Sequence, residues 1–456
     1  MPGTTDARKV ILFLTDAAVF YGSLWAVLLL RYGNSESTLL LPQHIVPFSM
    51  LFAVWLTVFY IFGLYELRYV RNDLEFIRRL LEAVVTNATI AIIVFYFIPA
   101  FGITPRLNLS AVIALSAVLV FISRELAVAL FRNITKQSVL FLGLTDEVIS
   151  FAEHLSKNSQ YGYRVSALMY VDKKPAQSPP GIPLLPFKPD LSQVITQGHV
   201  SLIVASPTVA ENTHISKTLL NLIPSGVALT AFPKFYGEMT GRIPISLISE
   251  RWFLDNAIVA HKFFFDKPKR SLDIAIGLIC LVPVAILTPL VALAVRLDSP
   301  GPIFYKQKRV GKNGQIFSIR KFRSMIADAE ISGARWASED DPRVTRIGKF
   351  LRQSRLDELP QILSIIRGDL SFVGPRPERP EFVQELRRII PFYDVRHIVK
   401  PGLTGWAQVN FPYGASVEDA YLKLQYDLFY IQNRSMALDL TIFLKTILIV
   451  LSRAGR

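Results

Sequence analysis

Asp357 and Glu358 are neighbours in the stretch RQSRLDELPQILSIIRGDLSFVGPRP (352–377). Arg352 and Arg355 lie on one side of them, and Arg367, Arg376 and a Gly-Pro turn on the other. Carboxylates held among guanidinium groups suit the gathering of phosphate oxygens and a divalent cation around a reacting atom. In such a place an Asp can attack phosphorus while its neighbour holds metal. A lone acidic pair would read instead as a helix N-terminus making surface salt bridges. Pro360 lies inside the first turns of a helical pattern and puts a helix start near Asp357 or Glu358. Peptide N–H groups there would point at bound phosphate.

Ahead of the acidic pair, seven Lys or Arg residues fall between Tyr305 and Arg323, interleaved with Phe304, Tyr305, Phe317 and Phe322. Most of the formal net charge of +14 lies after Lys262, so anionic partners belong to that part of the chain. A solvated basic face or attraction to anionic lipid accounts for some of these cations. Nucleic acid is not indicated, because the chain has neither a zinc pattern nor a nucleic-acid motif. Cys280 is the single cysteine and lies in an apolar run, which excludes an internal disulfide framework. The six histidines are scattered, without metal spacing.

These residues must be carried by a chain of 456 residues that is 51% hydrophobic, a composition that points to membrane. Four apolar segments open it: about Val10–Leu30, Ile45–Leu64, Leu80–Ile103 and Leu109–Phe131. Each is near the roughly 20 residues a helix needs to cross a bilayer core. The first carries Asp16 and no small-residue cleavage site, so it is expected to be a retained anchor. Arg68, Arg71, Arg78 and Arg79 fill the second loop, against only Arg31 and Arg106 in the first and third. The positive-inside rule then puts the N-terminus, the second loop and everything after Phe131 in the cytoplasm.

From Lys136 to about His261 short apolar runs alternate with turn residues. SVLFLG and SLIVAS read as buried parallel strands, EVISFAEHLSK and ISKTLLNLIPSG as helices, and PAQSPPGIPLLPFKP as a connecting loop. Together they predict an α/β module. After its first strand the chain has GLTDEV where a dinucleotide fingerprint needs GxGxxG. Only Gly143 remains, and Asp146 and Glu147 would repel a pyrophosphate. A structural or regulatory role is expected in place of NAD binding.

Leu272–Leu297 is long enough to span, yet Lys267, Lys269 and Arg270 precede it and Arg296, Lys306, Lys308 and Arg309 follow it. A span would put the basic region outside the cytoplasm. Pro283 and Pro289 can each bend a helix sharply, so a helix that enters the membrane, breaks and returns to the same face fits both charges and prolines. The composition leaves open which proline marks the break. Leu438–Leu451 is too short to span and reads as an interfacial helix or an ordinary core helix.

GPIFYKQKRVGKNGQIFSIRKFRSM (301–325), GKFLRQSRLDELPQIL (348–363), GDLSFVGPRPERPEF (368–382) and KPGLTGWAQVN (400–410) follow in that order. This succession resembles the bacterial sugar transferases that move a sugar 1-phosphate onto polyprenyl phosphate. The resemblance covers about Lys262–Ser452, and the whole chain is similar to the large form of these monotopic phosphoglycosyl transferases.

It implies a membrane protein of α plus α/β class in three parts. Residues 1–135 would form a four-helix transmembrane bundle and 136–261 a Rossmann-like α/β module. Residues 262–456 would form a mainly α catalytic domain with a re-entrant helix at 272–297. It further implies UDP-sugar and polyprenyl phosphate as substrates and a multi-pass protein of the bacterial inner membrane with its catalytic domain cytoplasmic. The pathway would be exopolysaccharide or O-antigen initiation. By matching motifs, Asp357 would be the nucleophile, displacing UMP to leave a phosphosugar-aspartyl enzyme. Glu358, with Asp357, would hold Mg²⁺, and Lys321, Arg323, Arg352 and Arg376 would meet the substrate.

A single displacement, with Asp357 only a metal ligand, is the alternative within this class. A membrane-anchored nucleotide sensor without catalysis is the alternative outside it. A sensor would have no use for the acidic pair. Glucose or galactose phosphate is the group the resemblance implies, though no residue specifies it. The middle module is a place for self-association into a homo-oligomer.

Overall fold

The computed structural model describes residues 4–65, 74–97, 106–133, 137–253 and 263–451, apart from 159–160, 173, 176–178, 189, 211, 251, 328, 330–340, 412–413 and 415. It divides into two compact units, Met1–Phe232 and Pro233–Arg456. The expected domain limits at 135 and 261 fall outside the described residues.

The first unit opens with three helices, α1 (Thr4–Ile61), α2 (Leu74–Phe97) and α3 (Arg106–Asn133). α1 is interrupted at Gly33, whose φ of 74° and ψ of 179° no helix contains. A glycine takes such a backbone without a Cβ penalty. The halves on either side carry the first two expected segments and fold back on one another. Phe20 packs on Phe52, Trp55 and Phe59 at 5.3–5.4 Å between ring centroids. Trp55 Nε1 donates to the Asn87 carbonyl on α2 at 3.2 Å. Arg124 on α3 grips Asp16 with two hydrogen bonds, 3.0 and 2.7 Å. Both side chains are fully buried, as charges in an apolar setting must be paired. Large apolar side chains such as Trp25, Leu81, Ile92, Val118 and Leu126 face outward, which suits a lipid solvent.

A five-stranded sheet follows: β1 (Gln137–Leu142), β2 (Tyr163–Tyr170), β3 (Leu184–Pro186), β4 (Val200–Ala205) and β5 (Ala228–Ala231). The order is β3-β2-β1-β4-β5, and every pairing is parallel. β1 and β4 are the two strands expected from their apolar runs. The proline-rich stretch expected as a loop instead contributes β3, where Pro186 is tolerated because the strand lies at the sheet edge.

This order has its switch point between β1 and β4, the crevice where such sheets take ligands. Gly143 there has φ +80°, and a Cβ would lie 2.2 Å from Val209 Cγ2. The Thr145 side chain accepts from Val148 N at the start of α4 (Asp146–Lys157). Gly143 itself is packed against Val209 and Ser206, with no room for a side chain.

The second unit is built around α5 (Phe263–Asp298), 36 residues long and so about 54 Å at 1.5 Å per residue. α5 is helical throughout with Pro283 and Pro289 inside it, so neither proline interrupts the helix, and a bend at either is compatible with that. Helical backbone is kept by the neighbouring turns, so each proline removes one bond without ending the helix. Both ends of α5 are tied into this unit. Near the start, Asp273 accepts from Ser371 Oγ and Phe372 N, each at 3.1 Å. Arg270 donates to the Ile365 and Ile366 carbonyls. Near the end, Asp298 accepts from Ile347 N at 3.1 Å, and Val291 and Val295 join the core around Phe322 and Leu351. Between them Ile279, Val282, Ile286 and Leu290 are exposed by 61–72%.

The helices Arg8–Ile61, Leu107–Ala127 and Phe265–Asp298 are long and apolar enough to cross a membrane. The helix expected near the C-terminus runs Met436–Leu451. Its Ile442 is buried in core while Leu440 and Ile447 are exposed. Ile243, Ile245 and Ile248 pack with Leu386, Tyr393 and Leu424, so this stretch belongs to the core of the second unit.

Candidate active site

Two strands, a short helix and a crossing of backbones bring the acidic pair and its cations together. β6 (Phe304–Val310) and β7 (Ile316–Phe322) form an antiparallel hairpin, with Lys321 opposite Tyr305. Phe322, next in the strand, turns into the core beside Val295 and Leu351, which leaves Lys321 on the other side of the ribbon. α6 (Arg346–Gln353) then leads to Arg355, in the left-handed region at φ 55°. That corner starts a 3-10 helix, Leu356–Gln361, followed by α7 (Ile362–Arg367).

The sequence LDEL explains the orientation of the pair. Residues three apart eclipse in a 3-10 helix, and Leu356 and Leu359 both enter the Val291–Phe322–Leu351 cluster. Asp357 and Glu358 between them are directed elsewhere. The expected α-helical start is thus a tighter turn. Its Glu358 N–H is already donated to the Arg355 carbonyl at 3.2 Å.

Arg376 arrives from a third direction. β8 (Ser371–Val373) pairs in parallel with β9 (Gly402–Thr404), and the two glycine motifs cross immediately beyond. A Cβ on Gly402 would lie 2.1 Å from Gly374 N, and one on Gly405 2.2 Å from Gly374 O. Only glycines allow backbones this close. Gly374 N donates to Thr404 O at 2.8 Å and Gly402 N to Pro375 O at 2.9 Å, fixing the chain that presents Arg376.

The carboxylates are buried to the same degree, each 7% exposed, but differ in partners. Glu358 Oε1 accepts from Lys321 Nζ at 2.6 Å and Arg376 NH2 at 2.8 Å. Its Oε2 has the Arg355 guanidinium at 4.0 Å. Burial alone would raise its pKa, but Arg376 and Lys321 overcome that and hold it well below the usual carboxylate range. Among the described residues the Asp357 carboxylate accepts no hydrogen bond. Burial, reinforced by the Glu358 charge, pushes it up to about 6, against the pull of Lys321, Arg352 and Arg376. Two adjacent carboxylates driven in opposite directions have different tasks available to them. Glu358 is a charge fixed by two cations, whereas among the described residues the Asp357 oxygens have no hydrogen-bond partner.

Of the expected site residues, Asp357, Glu358, Lys321 and Arg376 are brought together. Arg352, in the last turn of α6, hydrogen-bonds Ser324 Oγ through Nε at 3.0 Å, and its charge acts on Asp357. Arg323 is not part of the group. Its NH2 donates to the Val295 and Ser299 carbonyls and to Ser299 Oγ, tying the hairpin to the end of α5. Alternation along β7 is the reason, since residues two apart share a face only while the strand lasts, and Arg323 lies one residue past its end.

Two arginines, Arg309 and the buried Arg396, were not legible as site residues. Arg309 NH1 donates to the Pro377 carbonyl and Arg396 NH2 to the Arg376 carbonyl, each at 3.0 Å. Arg396 is paired with Asp427 at 2.8 Å. A signal for Asp427 was present: Leu424, Leu428 and Ile431 form one helical stripe, and an acidic residue at 427 falls on it.

The model for the bacterial sugar transferase family matches residues 264–453. A UDP-glucose:undecaprenyl-phosphate glucose-1-phosphate transferase of Xanthomonas campestris pv. campestris is 32% identical over 336 residues, covering 71% of this chain and 68% of that one. The chain belongs to the bacterial sugar transferase family. Two further relatives match shorter stretches. One is a UDP-N-acetylgalactosamine-undecaprenyl-phosphate N-acetylgalactosaminephosphotransferase of Aeromonas hydrophila, 42% identical over 217 residues. That match spans 48% of this chain and 51% of the relative, about half of each. The other is an exopolysaccharide production protein of Rhizobium leguminosarum bv. phaseoli, 38% identical over 191 residues, which cover 41% of this chain and 96% of that protein. All of the acidic pair's contacts described above lie inside the family match.

Proposed function

We propose that this protein transfers a sugar 1-phosphate from a UDP-sugar to polyprenyl (undecaprenyl) phosphate, as the first membrane step of exopolysaccharide or O-antigen synthesis. The observation that carries this reading is an Asp357 carboxylate without a hydrogen-bond partner among the described residues, beside a Glu358 neutralised by Lys321 and Arg376. The relatives' names supply the substrate class: undecaprenyl phosphate in each transferase named above, with glucose or N-acetylgalactosamine as the sugar.

The reaction proceeds in two displacements. An Asp357 oxygen attacks the sugar-bearing β-phosphorus and forms an acyl phosphate. The bond from that phosphorus to the bridging oxygen breaks, and UMP leaves with its electron pair. An oxygen of polyprenyl phosphate then attacks the same phosphorus, and the Asp357 carboxylate departs regenerated. Attack by an anion on a diphosphate is repulsive, so positive charge should be the largest contribution of the site. Lys321 and Arg376 offset Glu358, and the Arg352 charge acts on Asp357.

Mg²⁺ fits the donor set. Glu358 Oε1 is taken by two cations, but Oε2 and both Asp357 oxygens remain. Among the described residues no third acidic, His or Cys side chain joins them. Two carboxylate ligands, completed by substrate phosphate and water, are a usual complement for this ion. When bound it would supply further neutralisation of the diphosphate.

The tethering of both ends of α5 to one unit supports a helix that enters and leaves the membrane on the same face. A straight span would carry Asp298 to the opposite face from Asp273, so the re-entrant path has α5 bend within the helix, at Pro283 or Pro289. With four spans before it and the arginine-rich second loop inside, the catalytic unit lies at the cytoplasmic face of the bacterial inner membrane. There it meets a nucleotide sugar from water and a lipid phosphate at headgroup level.

Incubating the purified protein with a panel of UDP-sugars, without lipid, tests the mechanism. The cognate donor should release at most about one UMP per enzyme and add the mass of a phosphosugar to the Asp357 peptide. UMP release that strictly requires polyprenyl phosphate would replace this scheme with a single displacement.

A further inference from the structure

Arg376 is the more exposed of the two cations on Glu358 Oε1, its side chain 31% accessible against 17% for Lys321. Its aim is set in part by the main chain beneath it. That main chain is gripped at three successive carbonyls. Arg376 O accepts from Arg396 and Pro377 O from Arg309, each at 3.0 Å. Glu378 O accepts from Val310 N at 2.9 Å.

Arg396 is 6% exposed and is itself held on two further sides. Its NH1 donates to Tyr393 Oη at 2.6 Å, and its NH2 pairs with Asp427 at 2.8 Å. Asp427 is 1% exposed and sits on the helix Val417–Asn433, between Leu424 and Leu428 in the core. A buried ion pair contributes little net stability over an apolar pair of the same shape. Stability alone thus does not account for a charged pair in this core. What an apolar pair could not do is hold a carbonyl.

We infer that Arg396, braced by Asp427 and Tyr393, is a positioning residue that fixes the main chain at Arg376 and so aims that guanidinium at Glu358. This rests on the reading of Asp357 and Glu358 as the transfer centre. Arg396 touches neither carboxylate and acts only through Arg376. It therefore affects the rate of transfer from bound donor, while the donor is still bound by the remaining cations.

The test uses the full-length protein in detergent with UDP-sugar and polyprenyl phosphate. Arg396→Met alone strands the Asp427 charge in the core and is expected to unfold the domain. Arg396→Met with Asp427→Leu removes both charges together and should restore a near-wild-type thermal transition. In that double variant kcat should fall tenfold or more while KM for the UDP-sugar stays within about twofold. The same double change made in an Arg376→Ala background should lower kcat by less than about twofold, because two steps of one path do not add. Equal fold-losses in both backgrounds, or a wild-type kcat in the folded double variant, would overturn the positioning role. If the double variant does not fold, Arg396→Lys takes its place in the same cycle. It keeps the charge for Asp427 but loses the planar fork that reaches three partners at once, and equal losses in the two backgrounds refute the inference there also. Absence of transfer by the wild type would overturn the functional reading along with this one, whereas wild-type transfer with additive losses overturns this one alone.

Discussion

Asp357→Asn should make the protein inactive and at the same time more stable at neutral and alkaline pH. The Asp357 carboxyl is buried, accepts no hydrogen bond among the described residues, and is raised from 3.8 to about 6. A carboxyl whose folded pKa lies above its unfolded value binds protons more readily when folded. Its contribution to stability is therefore fully present below about 3.8 and is lost as pH rises through about 6. Two units at about 1.4 kcal/mol each give a penalty of at most about 3 kcal/mol for the ionised carboxylate. Asparagine keeps the shape without the charge and removes that penalty. For a unit of this size the gain corresponds to roughly 6–12 °C in Tm. The assay is thermal unfolding of both proteins in detergent with EDTA at pH 5 and pH 8, beside UMP release at pH 8. The gap between them should be wide at pH 8 and narrow or absent at pH 5, with UMP release lost in the variant. An Asn variant no more stable than wild type at pH 8 would show that Asp357 is not held as a strained, unpartnered charge, and normal turnover would remove it as nucleophile.

Gly143→Val should destabilise the parallel-sheet module by about 2–4 kcal/mol, from the left-handed backbone and the collision with Val209. Limited proteolysis within 137–231 should accelerate while UMP release per folded molecule is unchanged. Tightly bound NAD in the purified protein would contradict the expectation, from GLTDEV in place of a glycine fingerprint, that no dinucleotide binds there. Cysteines introduced at 268 and 300 should both react from the cytoplasmic face in membranes; labelling from opposite faces rules out the re-entrant placement of α5.

Much of the site was legible because its chemistry is local. The acidic pair among arginines, near a helix start, could be read directly, whereas the 3-10 turn that buries Leu356 and Leu359 and turns the pair away could not. The apolar runs at 138–142 and 201–205 are long enough and bounded sharply enough to be buried parallel strands wherever they are placed. Glycines at 374, 402 and 405 belong to motifs visible in the chain, though only their crossing reveals why no side chain fits.

Tertiary structure decided the rest, since partners far apart in the chain share no sequence pattern. Asp357 and Glu358 are equivalent in one dimension; their surroundings differ because Lys321 and Arg376, from a hairpin and a backbone crossing, converge on the same oxygen of Glu358. Arg323 looks like its neighbour Lys321 until the end of α5 takes up its donors. The edge strand at 184–186 is apolar enough only in company, paired on one side with β2. Pro283 and Pro289 can bend or end a helix, and a proline carries no information about which outcome its surroundings permit. Arg396 is one basic residue among many in a basic domain. Its burial against Asp427, and its hold on the carbonyl of Arg376, exist only once three stretches far apart in the chain have packed.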